Sequence, residues 1–129
     1  MNRQIIITAS VLGMLGVIAG AFAAHGLKPR LTAEQLEIWR TGVQYHFYHV
    51  FALLFLSTIA RVNNDKLVNI TYYLFVYGII FFSGSLYLLA CRDLLGWEWL
   101  KIMGPITPLG GLLFIAGWFT LALAAFKNK

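Results

Sequence analysis

The chain has few charged residues and a single cysteine. Charged residues make up 12% of its 129 positions, whereas they make up about a quarter of a typical soluble domain. One cysteine, Cys91, excludes a disulfide within the chain and a C-x-x-C-H haem attachment. A G-x-S-x-G nucleophile elbow is also missing. These absences argue against a soluble globular domain, a disulfide-stabilised secreted protein and a serine hydrolase of the usual type.

Long apolar runs fill the chain instead. Hydrophobic residues make up 60% of it, and the mean hydropathy is +0.75. Four runs without Lys, Arg, Asp or Glu cover residues 5–24, 41–60, 67–90 and about 102–126. A helix that crosses a bilayer needs about 20 such residues. The sequence therefore predicts an all-α integral membrane protein, with residues 1–129 forming one antiparallel bundle of four transmembrane helices.

The first run also resembles a secretory signal. Arg3 precedes it, and Ala21-Phe22-Ala23 imitates a cleavage site. The run has about 20 apolar residues, which exceeds the apolar core of most signals. We expect it to be retained as the first helix.

Net charge is +5, but the basic residues are scattered between the runs and form no basic stripe. This pattern is typical of membrane flanks and argues against a nucleic-acid partner. One side would hold Arg3, Arg61, Lys66, Lys127 and Lys129, and the other Lys28, Arg30, Arg40, Arg92 and Lys101. The positive-inside count is tied. Acidic residues dilute the second set but weigh little in this rule, and we expect both termini in the cytoplasm.

Local signals mark where the helices begin and end. Thr32 and Gln35 form a capping-box pattern, flanked by Leu31 and Leu36 as a hydrophobic staple. This predicts a short interfacial helical extension before the second span. Residues 61–66 read as a polar turn, and Trp97 and Trp99 as interfacial anchors. Two prolines and three glycines in residues 104–111 predict a distorted or broken start to the fourth helix.

Small residues follow one face of the first helix. Ala9, Gly13, Gly16, Gly20 and Ala24 are three or four positions apart, and Gly16 and Gly20 form a GxxxG pair. This face could pack within the chain or against a second copy. The predicted helix-packing glycines are Gly13, Gly16, Gly20, Gly84, Gly110, Gly111 and Gly117.

Polar residues interrupt the runs at ends that would face the same membrane side. Histidines within spans are costly and are candidates for function. They could ligate a metal or haem, but no carboxylate or cysteine completes a ligand pattern, so we expect hydrogen bonding and no metal or cofactor. The predicted polar network, or ligand-binding site, consists of His25, Tyr45, His49, Ser83, Ser85, Tyr87 and Thr107.

These motifs together resemble the family known as domain of unknown function 423. The resemblance runs through Gly20-Ala-Phe-Ala-Ala-His25-Gly-Leu, Trp39-x-Thr41, Tyr45-x-x-x-His49, Phe82-Ser-Gly-Ser-Leu-Tyr87, Thr107-Pro-Leu-Gly-Gly111 and Gly117-Trp118. The chain departs from the family at Ala23, where glycine is usual, and at His46, where glutamine is frequent. The resemblance implies a small multi-pass protein of the bacterial inner membrane, related to animal transmembrane protein 256, and brings no established activity.

The interpretation that these features favour is a non-catalytic accessory or scaffold subunit. Its partners would be the lipid bilayer and a larger membrane protein complex or a second copy of itself. The alternative is a protein that binds or transports a small molecule or ion through the polar cluster. A transporter would use broken helices at a repeat interface, and no internal repeat is visible in the chain.

Overall fold

A computed structural model describes residues 2–60 and 65–127, and these residues form helices without a β-strand. In chain order the helices are α1 (Arg3–Phe22), a π-helical segment (Ala23–Leu27), α2 (Ala33–Ile59), α3 (Asp65–Gly78), a second π-helical segment (Ile79–Ser83), α4 (Gly84–Ala90), α5 (Arg92–Leu95), a 3₁₀ helix (Glu98–Ile102) and α6 (Met103–Lys127). The prediction of an all-helical chain is confirmed. The predicted polar turn lies mostly outside the described residues, since α3 begins at Asp65.

Within the described residues, three helical stretches are long and apolar enough to cross a membrane. They are Arg3–Leu27, Lys66–Ala90 and Glu98–Lys127. The two π-helical segments continue the first two of these stretches without a break. α2 is not among the three, although it has 27 residues. Its middle carries Gln44, Tyr45, His46, Tyr48 and His49, which lower its hydropathy.

The start of α2 follows the predicted capping box. The backbone N–H of Gln35 donates to the Thr32 hydroxyl at 3.1 Å, and the Gln35 side chain accepts from the Thr32 N–H at 3.0 Å. Leu31 and Leu36 lie in one buried cluster, as a hydrophobic staple requires. The Gln35 amide also donates to Asp93 at 2.9 Å. The same residues that cap α2 therefore attach it to α5.

The prediction of a broken start to the last helix is wrong. α6 is continuous over Met103–Lys127, with Pro108 inside it. Pro105 stands in the first turn, where backbone N–H groups have no helical partner, so its missing N–H costs little. Pro108 removes a single intrahelical bond close to this end. The Met103 carbonyl, one turn before Thr107, accepts a hydrogen bond from the Thr107 hydroxyl at 3.3 Å.

Buried side chains form two clusters at different heights. The larger cluster joins α1, α2, α3 and α6 and contains Ile5, Ala9, Val50, Leu53, Leu56, Val68, Phe75 and Phe114. The smaller cluster joins the first π-helical segment, the start of α2 and the end of α4 through Leu27, Leu36, Trp39 and Ala90. Polar contacts lie between and beside these two apolar layers.

Contacts between α3 or α4 and α6 follow a regular order. Thr71 contacts Thr120 at 2.6 Å, and Ser85 contacts Thr107 at 2.6 Å. Phe75 lies against Gly117, between these two pairs. As the residue number rises along α3 and α4, the residue number of the partner on α6 falls. Each level of α6 therefore contacts one level of α3 or α4.

Candidate functional site

His46 joins three helices near the middle of α2. Its Nε2 lies 2.6 Å from the Leu12 carbonyl of α1, and its Nδ1 lies 3.0 Å from the Tyr87 hydroxyl of α4. A carbonyl oxygen only accepts, so Nε2 carries the proton that is donated to Leu12. His46 is 4% exposed. Both ring nitrogens are therefore used inside the bundle.

Trp39 forms a second connection between α1 and α2. Its indole N–H donates to the Ala19 carbonyl at 2.9 Å, and its ring lies 4.6 Å from that of Tyr87. Trp39 and His46 are seven residues apart, as are the carbonyls of Leu12 and Ala19 that they bind. The two hydrogen bonds are therefore about two helical turns apart on both α2 and α1.

His49 is enclosed by aromatic rings on the other side of α2. It stacks on Phe114 with ring centroids 3.6 Å apart and planes 6° from parallel. Its Nδ1 lies 2.8 Å from the Tyr45 carbonyl, and its Nε2 accepts from the Trp118 indole at 3.0 Å. Because the carbonyl only accepts and the indole only donates, His49 is a neutral imidazole with its proton on Nδ1.

The serines of the Phe82-to-Tyr87 motif bridge helices. The Ser83 hydroxyl donates to the Gly42 carbonyl of α2 at 2.7 Å and is fully buried. The Ser85 hydroxyl lies 2.6 Å from the Thr107 hydroxyl of α6. Residues two positions apart lie on nearly opposite sides of a helix, so the Ser83 hydroxyl at the end of the second π-helical segment and the Ser85 hydroxyl in α4 reach different neighbours.

The predicted polar residues occupy separate places in this arrangement. Ser83 joins the second π-helical segment to α2. Tyr87 joins α4 to α2, and Ser85 joins it to Thr107 of α6. His49 contacts α6 through Phe114 and Trp118. Tyr45 contributes its carbonyl to His49 and its ring to Phe82, whose centroid lies 4.9 Å away. His25 is exposed in the first π-helical segment, and its side chain makes no hydrogen bond to a described residue.

Several residues of the site were not predicted from the sequence. His46, Trp39 and Trp118 make the interhelical bonds described above, and the pairs Thr8–Tyr72 and Thr71–Thr120 add two more at 2.7 and 2.6 Å. An available signal was the position of Trp39 one heptad before His46, which places both on one face of α2. The backbone carbonyls that they bind carry no such signal.

The predicted packing glycines differ in how closely a neighbour approaches. An added Cβ would lie 2.7 Å from the Phe82 Cα at Gly110, 2.6 Å from the Phe75 ring at Gly117 and 2.9 Å from the Phe47 ring at Gly16. At Gly13, Gly20 and Gly111 the nearest atom would be 3.4, 3.7 and 3.9 Å away, and Gly84 meets nothing within 4 Å. Gly42 and Gly78, which were not predicted, lie against Tyr87 and Phe114.

This arrangement offers few side chains that could ligate a metal ion. Among residues 2–60 and 65–127, no three His, Cys, Asp or Glu side chains lie together as a metal site. His46 and His49 already use both nitrogens. A metal bound by either histidine would have to displace one of these hydrogen bonds, three of which join two helices and one of which lies within α2. The site therefore offers aligned hydrogen bonds and packed rings rather than a free nucleophile or base.

An apolar groove of about 330 Å³ opens beside this site, between α1 and α4. Leu15, Ile18 and Phe22 line its α1 side and are exposed on the outer surface. Trp39 and Tyr87 lie at its base. The groove could hold an apolar group that approaches from outside the bundle.

Several bacterial proteins similar to this chain are described as membrane proteins. The family described as a protein of unknown function, DUF423, matches residues 19–111. A UPF0382 membrane protein of Staphylococcus haemolyticus is 40% identical over 125 residues, which cover 97% of each chain. A Bacillus subtilis relative with the same description is 39% identical over 126 residues, or 97% of this chain and 98% of its own.

A third UPF0382 membrane protein, from Haemophilus influenzae, is 36% identical over 129 residues, or 100% of this chain and 98% of its own. No solved structure matches the chain. The family match and these near full-length relatives confirm the resemblance seen in the motifs: the chain belongs to the DUF423 family of membrane proteins of unknown function.

Proposed function

We propose that the chain crosses the membrane four times as one antiparallel bundle, with α2 as the fourth span. α2 has 27 residues, which make about 40 Å of helix at 1.5 Å per residue, whereas the hydrocarbon core is about 30 Å thick. Its histidines make their hydrogen bonds to α1, α4 and α6 or to α2 itself, which lowers the cost of placing them in the bilayer. The falling order of partners along α1 and α2, and along α3, α4 and α6, supports antiparallel neighbours.

The proposed location is the bacterial cytoplasmic membrane, with both termini in the cytoplasm. An even number of spans places the termini on one side. The bacterial relatives are described as membrane proteins, and the exposed indoles of Trp97 and Trp99 suit the headgroup layer at the opposite side. In this arrangement the GxxxG pair, Gly16 and Gly20, packs against α2 of the same chain.

Within that membrane, the chain acts as a non-catalytic accessory or scaffold subunit of a larger assembly. The observation that carries this proposal is that His46 and His49 use all four of their ring nitrogens within the bundle. A catalytic base needs a nitrogen free to face substrate. The polar groups instead fix which helix meets which, and leave broad apolar faces for lipid and protein partners.

Native mass spectrometry of the protein, gently extracted from its own membranes, tests this role. We expect a species that contains the chain at a fixed ratio with other protein subunits or with further copies of itself, and without a stoichiometric small molecule. A single chain that carries one ligand molecule per copy would contradict the scaffold role.

The groove between α1 and α4 favours a second candidate, a protein that binds or transports a small apolar molecule. Its base is formed by the rings of Trp39 and Tyr87, which could select a flat apolar ligand. Replacing Ala19 with Phe would fill the groove from α1. If the groove binds a ligand, this variant loses the bound species in the mass spectrum while the subunit ratio stays the same.

A further inference from the structure

α2 carries a polar pair on the face that points away from the bundle. The Gln44 amide donates to the Tyr48 hydroxyl at 2.6 Å. Gln44 is exposed, and Tyr48 is 49% exposed. The two residues are one turn apart, on the opposite side of the helix from His46, which is buried.

This pair lies near the middle of the bilayer if α2 is a span. His46, which lies between the two residues in sequence, bonds to the Leu12 carbonyl. Leu12 belongs to the middle third of the apolar helical stretch Arg3–Leu27. Side chains near the ends of a span can reach the headgroups, but those at mid-depth cannot. The polar atoms of Gln44 and Tyr48 would then face hydrocarbon.

The pair leaves hydrogen-bonding capacity unused. When the Gln44 amide donates to the Tyr48 oxygen, the Tyr48 O–H, the second amide proton and the Gln44 Oε1 remain. No other described residue bonds to these side-chain atoms. Polar groups in a bilayer core are satisfied by protein, because lipid tails offer neither donors nor acceptors.

The outward faces of α1 and α6 are mostly apolar, and α3 shares the feature only through the hydroxyls of two exposed tyrosines. The largest exposed side chains of α1 include Val11, Met14 and Val17, and those of α6 include Leu112 and Ile115. These are hydrocarbon or thioether groups and suit lipid contact. α3 exposes Tyr73 and Tyr77, whose rings stack with centroids 6.4 Å apart, but it has no amide at mid-depth. α2 is therefore the outward face that most needs a protein partner.

We infer that the outward face of α2 binds the same face of a second copy of this chain. Two copies inserted in the same direction are related by a twofold axis along the membrane normal, which brings equivalent positions to the same depth. The Tyr48 O–H of each copy donates to the Gln44 Oε1 of the other, so that the unused donor meets the unused acceptor twice. This pairing rests on the proposed role of α2 as a span.

The outward face has the spacing that such a contact requires. Its members are alternately three and four residues apart, as in the contact line of two helices that cross at a small angle. They are Thr41, Gln44, Tyr48, Phe51, Phe55 and Thr58. We call this set the α2 stripe. Threonines stand at both ends of the stripe, and the polar pair and two phenylalanines stand between them.

Disulfide cross-linking in native membranes tests the contact. Cys91, the only cysteine, is first replaced with Ala. Phe51→Cys or Phe55→Cys then places a single thiol on the α2 stripe and leaves the polar pair intact, while Leu112→Cys places one on the exposed face of α6. We expect oxidation to give a dimer of the chain several-fold more efficiently from the stripe positions than from position 112. Equal yields, or no dimer from the stripe, would overturn the inference.

A second variant tests the role of the polar pair. Gln44→Leu with Tyr48→Phe keeps the approximate size of both side chains and removes the polar atoms of both. Because both residues point outward, the bundle does not depend on them for folding. In the Phe51→Cys background, the pair of changes should weaken dimerisation by about tenfold, the factor expected for two average interhelical hydrogen bonds in a bilayer. An unchanged dimer yield would refute the hydrogen-bonded contact.

The experiment separates this inference from the proposed scaffold role. A stripe thiol that cross-links to a different protein would overturn the second copy as partner while leaving the scaffold role in place. A cross-linked homodimer that carries a stoichiometric small molecule in its mass spectrum would contradict the scaffold role and leave the contact in place.

Discussion

At the scale of the residue, the two buried histidines act as connectors. His49 stacks on Phe114 and accepts from Trp118, so His49→Ala removes a packed ring and leaves an indole N–H without its partner. We expect the free energy of unfolding in detergent to fall by about 2–4 kcal/mol, combining the lost ring with the lost bond. Thermal unfolding of the purified variant measures this.

His25→Ala is the matched control, because His25 is exposed and bonds to no described residue. It should unfold at the temperature of the unchanged protein. If His49→Ala also unfolds there, the histidines are not structural, and their hydrogen bonds would have to serve another purpose.

The sequence identifies His49 as a site residue and His46 only as a further histidine in an apolar run, and it identifies the partners of neither. A histidine in an apolar run must satisfy its nitrogens, and this much follows from the pattern alone. The groups that satisfy them include carbonyls of Leu12 and Tyr45, and every residue has a carbonyl. Only the register between helices decides which one is reached, so the connection from His46 to α1 was not foreseeable.

At the scale of the element, two glycines give opposite expectations. A Cβ at Gly110 would press on the backbone of Phe82, whereas one at Gly84 meets nothing within 4 Å. Gly110→Ala should therefore force α6 from the second π-helical segment and lower the unfolding free energy by about 1–3 kcal/mol. Gly84→Ala should be neutral or raise it by up to about 1 kcal/mol, since alanine favours helix.

Chemical unfolding of both variants in the same detergent measures the difference. Equal stability of the two would mean that α6 does not approach Phe82 as closely as described. Both glycines are predicted packing residues because they lie in or beside apolar runs, but the sequence does not show which of them a neighbouring helix approaches more closely. The cost of adding a methyl group at a glycine depends on the distance to the neighbouring helix. The spacing of glycines along one helix does not encode that distance.

The capping box of α2 gives a third prediction. Thr32→Ala removes the acceptor for the Gln35 N–H and should cost about 1 kcal/mol, as loss of an N-cap residue does. Thr32→Ser keeps the hydroxyl and should be close to neutral. A loss of stability as large for serine as for alanine would contradict the capping role. Here the sequence was sufficient, because the motif is local and needs no distant partner.

The prolines near the start of α6 show where a local rule misleads. Two prolines and three glycines in residues 104–111 predict a distorted or broken start, yet α6 is continuous from Met103. A proline is costly in a helix interior but not in the first turn. Whether the prolines break the helix or stand near its start depends on the residue at which the helix begins. The sequence pattern does not determine that residue.

For the molecule as a whole, the four-helix bundle requires that α2 cross the membrane. The four apolar runs predicted four spans, while three of the described helical stretches are apolar enough to cross by composition alone. α2 differs because its middle third holds polar residues that pack inward on other helices, such as His46, or outward, such as Tyr48. Its proposed role as a span follows from contacts that hydropathy does not count.

The sidedness of the two termini tests this claim most directly. Reporters that are active on only one side of the membrane, such as a cytoplasmic fluorescent protein and a periplasmic phosphatase, are fused in turn to the N-terminus and to the C-terminus. Four spans place both ends on the same side, and we predict the cytoplasmic side for both. If α2 lies along the surface and only three helices cross, the termini will report opposite sides, which would contradict the four-span bundle and the α2 contact built on it.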